Sequence, residues 1–181
     1  MADWVVDTNV LLVATRAVLG GPPRLLARRG EDVPVTATAD CEAVYRWLEA
    51  VRRSPDERVV IDYPNDLIKG EYGKKLDKSE YGRMVIAEKL TRGQVKVVEV
   101  LKDAEGYAVI QHENASEVFD REDRKMVAAA MESGAAIANA CDTDWCELEH
   151  TGTLGRLGVK VHHVIETWCR SEWQRKRATK E

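Results

Sequence analysis

The chain has 181 residues, with 27 Lys and Arg against 31 Asp and Glu, a formal net charge of −4, 44% hydrophobic residues and 32% charged ones. Such a length fits one domain with a core of its own, and the composition is that of a soluble globular protein. The acidic balance argues against a dedicated basic nucleic-acid coat, and the apolar runs, such as 127–131 and 135–138, fall far short of the ~20 residues of a membrane-spanning helix.

The N-terminal Met-Ala-Asp-Trp lacks a basic stretch followed by an apolar run, so no signal peptide and a cytoplasmic location are expected, with no membrane partner. The first apolar run is Trp4-Val5-Val6, which ends at Asp7. Residues 20–36, with Gly-Gly-Pro-Pro and an Arg-rich stretch, read as a loop between early helices. Cys41, Val44, Tyr45, Leu48 and Val51 recur at helical spacing. Val59-Val60-Ile61 repeats the strand pattern and ends at Asp62, and Leu67, Ile68, Tyr72 and Leu76 mark a further helix. Residues 92–118 are ambiguous: 95–100 and 107–110 fit either a hairpin or an excursion linking helices. Met126, Val127, Ala130 and Met131 define another helix. The run from Ala135 to Cys141 ends at Asp142, and Val159 to His162 follows Gly158 as a fourth strand. Ile165 to Lys180 reads as a helix ending in a basic tail with Arg170, Arg175, Lys176, Arg177 and Lys180.

Short apolar strands alternating with helices imply an α/β fold. The expected architecture is a three-layer α/β/α sandwich around a mostly parallel central sheet, with a domain over 1–165 and a C-terminal helix and tail over 166–181. Cys41, Cys141, Cys146 and Cys169 match no paired zinc pattern and are expected as free thiols, the first two packed as small apolar groups. His112, His150, His162 and His163 show no ligand spacing.

Ligands of open parallel sheets bind beyond the carboxyl ends of the strands. Asp7, Asp62 and Asp142 each follow an apolar strand at that end. One such Asp is an ordinary turn or capping residue. The helical spacing adds Glu71, on the apolar side of its helix, and Asp123, one turn before Met126 and Val127. A carboxylate facing a core is costly unless it is paired or binds metal. Asp7, Glu71, Asp123 and Asp142 together describe a hard-oxygen site suited to Mg²⁺ or Mn²⁺. Asp120 reads as a helix cap and Asp62 as the end of its strand.

Four segments carry a more specific resemblance. Val5-Val6-Asp7-Thr8-Asn9-Val10-Leu11 resembles the opening strand and turn of the PIN-domain nucleases. Ile68-Lys69-Gly70-Glu71-Tyr72 is similar to their second acidic motif. Asp123-Arg124-Lys125, with Ala128 to Ala130 and Gly134, resembles the third, and Asp142-Thr143-Asp144-Trp145 the fourth. All four occur in the family's order. The family often has Thr or Ser two residues before the fourth-motif Asp, where this chain has Ala140.

The resemblance implies a metal-dependent nuclease, an endoribonuclease or a related phosphodiester hydrolase, with Mg²⁺ or Mn²⁺ as cofactor. Asp7, Asp123 and Asp142 would hold the first metal, and Glu71 and Asp144 would complete its shell or hold a second. Thr8 and Asn9 would orient Asp7; their alternative role is helix capping. Trp145 is expected to pack under the site, with base stacking as the alternative. The implied substrate is RNA, or single-stranded DNA, and the expected products carry a 5′-phosphate and a 3′-hydroxyl. Arg24, Arg28, Arg29 and the basic tail are candidate phosphate contacts. The family also admits an antitoxin or regulatory protein as partner, a homodimer, and a toxin–antitoxin, RNA-processing or defence setting. The alternatives are a non-catalytic PIN-like nucleic-acid-binding or scaffold module, and a phosphotransferase with Asp7 as nucleophile. The latter wants a second Asp where this chain has Asn9.

Overall fold

A computed structural model describes residues 2–19 and 34–179. Five strands form one parallel sheet in the order β3-β2-β1-β4-β5. They are β1 (Ala2–Val6), β2 (Glu57–Asp62), β3 (Val95–Val98), β4 (Ala136–Asn139) and β5 (Val161–His163). Val5, Val6, Val59, Val60, Ile137 and Ala138 are fully buried, as expected of central strands covered on both faces. Trp4 pairs in register with Val59 on one side and Ala136 on the other, so β1 is the central strand.

The chain runs outward from β1 to β2 and β3, then returns to β4 and β5. Right-handed crossovers in opposite directions place helices on opposite faces. On one face α1 (Thr8–Leu19), α2 (Thr38–Arg53) and α4 (Tyr81–Thr91) pack together, and on the other α5 (Arg124–Ser133) lies across β1 to β4. The result is a three-layer α/β/α sandwich. The helix α3 (Leu67–Lys75) touches α1 and α5, one from each layer, and so sits past the carboxyl end of the sheet. The Tyr72 hydroxyl pins it there by donating to the Val6 carbonyl.

Beyond β4 come α6 (Asp144–His150), the single turn α7 (Thr153–Arg156) and α8 (Glu166–Ala178). The last packs on α6 and buries Cys169. Val95 to Val98 forms a parallel edge strand on β2, not the first arm of a hairpin; the only hairpin-like pairing there is the isolated bridge between Lys102 and Ala108. Residues 20–33, and with them Arg24, Arg28 and Arg29, lie outside the described residues, as does Lys180. Among the described residues no helix is long and apolar enough to cross a membrane.

Candidate functional site

In the order β3-β2-β1-β4-β5 the direction of winding reverses between β1 and β4. Splayed connections at such a point leave a cleft at the carboxyl edge. Asp7 leaves β1 there and Asp142 follows β4, so adjacent strands deliver both carboxylates to one place. The two turns are stitched together by Asn9, whose Oδ1 accepts from the Ala140 N–H at 2.7 Å and the Cys141 N–H at 3.3 Å. Asn9 therefore bridges the two strands through its side chain and meets Asp7 through its backbone N–H.

Asp7 is buried and its carboxylate is held on both oxygens. Oδ2 accepts from Trp145 Nε1 at 2.7 Å and Oδ1 from the Asn9 N–H at 3.2 Å. Burial, followed by the charge of Asp142, pushes the Asp7 carboxyl up to about 7, against the lowering effect of the Trp145 hydrogen bond. Trp145 is fully buried, so it packs beneath the site and its indole N–H orients Asp7; it presents no face to a base.

Asp123 precedes α5 without making a side-chain cap. Burial, then Asp142, Asp7, Asp120 and Asp144, push its carboxyl up to about 9. Asp142 is raised by burial and by Asp144, while the Asp144 N–H, at 2.9 Å from its Oδ1, and the Lys176 ammonium oppose the shift. The turn around Asp142 is fixed from below by fully buried Asn139. Its Oδ1 takes the Asp142 N–H at 3.0 Å and its Nδ2 donates to the Asp142 carbonyl at 2.8 Å.

Oxygen atoms of Asp120, Asp123 and Asp144 lie within 4.8 Å of one another. Asp120 is thus part of the cluster as well as a turn cap; its Oδ1 accepts the Glu122 N–H at 2.8 Å. Sequence spacing suggested only the cap, because Asp120 lies on no apolar face. Asp62 is fully buried, and its oxygens take the Leu67 and Ile68 N–H groups at 2.6 and 2.8 Å. It caps α3 and stays apart from the cluster.

Glu71 stands differently from the aspartates. Thr8 Oγ1 donates to its Oε1 at 2.7 Å, and the Lys125 ammonium lies 2.7 Å from Oε2 as an ion pair without hydrogen-bond alignment. Lys125 is buried and also meets Glu122 at 2.7 Å. Burial works against its charge, yet Glu71 and Glu122 hold its pKa above the usual value. Glu71 therefore already has a cation of the protein's own. Lys125 lies in the third motif, but nothing in the spacing shows a lysine turning inward.

Lys176, from α8, reaches Thr143 Oγ1 at 2.8 Å and brings a second ammonium beside Asp142. Ala140 is fully buried; Asn9 occupies its N–H, and the Cys169 thiol donates to its carbonyl at 2.9 Å. The four cysteines are free and buried. His163 contacts Asn139 at 2.9 Å and Glu149 at 3.2 Å, and His162 lies against Trp4 and Trp47, so both are structural.

Fold and site together define an open parallel α/β protein with an aspartate cluster at its switch point. No family model matches the chain, and no curated protein or solved structure matches it.

Proposed function

We propose that the chain is a metal-dependent phosphodiester hydrolase acting on nucleic acid, the activity implied by its likeness to PIN-domain nucleases. The observation that carries this reading is the meeting of carboxylates from β1, β4, α6 and the turn before α5 at one sheet edge. Burial first, and then the neighbouring carboxylates, lift Asp123 to about 9 and Asp7 to about 7. Such an excess of buried negative charge calls for a cation, and a set of carboxylate oxygens suits Mg²⁺ or Mn²⁺.

Asp7, Asp123 and Asp142, with Asp144 and Asp120, would hold the ion. When bound, such an ion lowers the pKa of a water and offsets the charge on a phosphate. The chain's own groups set the geometry. Trp145 and the Asn9 N–H fix the Asp7 carboxylate while leaving lone pairs on both oxygens. The Asn9 side chain keeps the β1 and β4 turns in register, and Asn139 keeps the Asp142 turn from opening. Thr8 and Lys125 hold Glu71 near Asp7, where it would complete the shell of the ion or hold a second. Lys176 supplies a positive charge at the rim, toward an incoming phosphate.

A non-catalytic nucleic-acid-binding module is the second reading, favoured by the neutralisation of Glu71 by Lys125. Incubating end-labelled single-stranded RNA and DNA with the protein in Mn²⁺, Mg²⁺ or excess chelator separates the two. Hydrolysis with metal and none with chelator is the expected result. Binding without cutting in any metal supports the module, and full cutting in chelator overturns the metal mechanism.

A further inference from the structure

The aspartate cluster repels the polyanion it is proposed to cut, so a group indifferent to charge adds affinity that the cluster itself does not supply. Phe119 meets that need. It is the chain's only phenylalanine, it is 85% exposed, and it immediately precedes Asp120 of the cluster. Among aromatic residues Phe alone lacks a polar atom to satisfy at the surface, and single exposed apolar residues are common enough to mean little. What sets Phe119 apart is how firmly it is presented. Val118 before it is fully buried; its N–H bonds the Ala115 carbonyl at 3.3 Å and its carbonyl accepts Arg124 Nε at 3.1 Å. Asp120 after it is locked by the Glu122 N–H. The ring thus stands on a fixed backbone, one residue from the carboxylates. Across the cluster, the Thr143–Asp144 turn carries the Lys176 ammonium.

We propose that Phe119 is the base-stacking residue of this site: a nucleobase unstacked from its neighbours lies on the Phe119 ring while the adjoining phosphate faces Lys176 and the aspartate cluster. The inference rests on the nuclease reading for the role of the phosphate. Stacking on an aromatic ring accepts every base and needs a base free of a duplex. Phe119 therefore selects for unpaired nucleotides without reading their sequence.

The test uses a short single-stranded oligoribonucleotide carrying 2-aminopurine, whose fluorescence is quenched on stacking, in Mg²⁺. The protein carries Asp7→Asn to suppress cutting. With Phe119 present, binding is expected to quench the probe. Adding Phe119→Ala is expected to remove the quench and weaken binding roughly 5- to 150-fold, the loss of one stacked base. Phe119→Trp restores both and Phe119→Leu restores neither. Oligonucleotides with an abasic residue at the probe position bind the Phe and Ala forms alike. The Ala variant keeps its melting temperature, because the ring is largely exposed and gives little to the core. Equal affinity and quench in the Ala variant, a Leu variant as good as Phe, or no binding to the Phe form overturns the inference. Phe119-dependent quenching without cutting by the wild-type chain removes the nuclease reading and leaves the stacking site standing. Cutting that is indifferent to Phe119→Ala does the reverse.

Discussion

Asp123 carries the heaviest electrostatic load at the site, with burial and four neighbouring carboxylates all opposing its charge. A carboxyl whose pKa is higher in the fold than in the unfolded chain favours folding when protonated. That contribution is complete below about pH 4, the unfolded value, and is lost as pH rises through the folded values, here about 7 for Asp7 and about 9 for Asp123. The metal-free protein is therefore expected to melt at progressively lower temperature as pH climbs through this window, and Mn²⁺ is expected to reverse the loss. Asp123→Asn removes one repelling charge. It should raise the metal-free melting temperature at alkaline pH by about 2–4 °C, on the order of 1 kcal/mol, and blunt the gain from Mn²⁺. Thermal scans with and without metal check this; a large fall in the metal-free value would mean that Asp123 serves a structural ion pair.

The aspartates at 7, 123 and 142 were legible because each stands at a strand end or on the inner side of a helix, and Asp144 only through the likeness of Asp142-Thr143-Asp144-Trp145 to the fourth PIN motif. Lys125, Lys176 and Asp120 were not. Their places depend on which way a turn or a long side chain points across elements distant in sequence, and no periodicity encodes that.

Among the elements, α1 and α4 meet unusually closely at Gly82. A Cβ there would stand 2.6 Å from the Leu11 carbonyl oxygen and 2.7 Å from Leu11 Cβ. Thr15 stitches the same contact, its hydroxyl donating to the Leu11 carbonyl at 2.7 Å and accepting the Gly82 N–H at 2.9 Å. Gly82→Ala must push backbone from backbone and is expected to cost about 1–3 kcal/mol, measured by chemical denaturation. Gly70, inside α3, has nothing within 4 Å of its Cβ position, so Gly70→Ala should gain up to about 1 kcal/mol from helix propensity alone. Equal effects at the two glycines would contradict the packing described. A third change, Asp62→Ala, uncaps α3 by orphaning the Leu67 and Ile68 N–H groups. A loss of about 1–3 kcal/mol is expected, with Glu71 displaced in consequence. The element pattern explains what sequence could and could not give. The inner strands β1, β2 and β4 each carry a short apolar run, Trp4-Val5-Val6, Val59-Val60-Ile61 and Ala136-Ile137-Ala138, and were legible. Edge strand β3 is Val-Lys-Val-Val with Val97 exposed, and α4 has almost no amphipathic contrast, so neither carried a clear signal.

For the molecule as a whole, the strand order brings the ends of β1 and β4 together, and three acidic segments, at Asp7, at Asp120 and Asp123, and at Asp142 and Asp144, meet at one sheet edge. The alternation of strands and helices foretold the three layers; the convergence of the acids followed once the switch point was placed. The proposed activity turns on Asp7, buried, oriented by Trp145, and the only carboxylate in its turn. Asp7→Asn keeps the shape of that side chain and removes its charge. The decisive measurement is the rate of cleavage of end-labelled single-stranded RNA in Mn²⁺ by wild type and Asp7→Asn, with binding of the same RNA followed in parallel. The wild-type chain is expected to cut and to leave 5′-phosphate ends, while Asp7→Asn binds at least as tightly but cuts slower by about two or more orders of magnitude. An Asp7→Asn chain that cuts as fast as wild type would contradict the account.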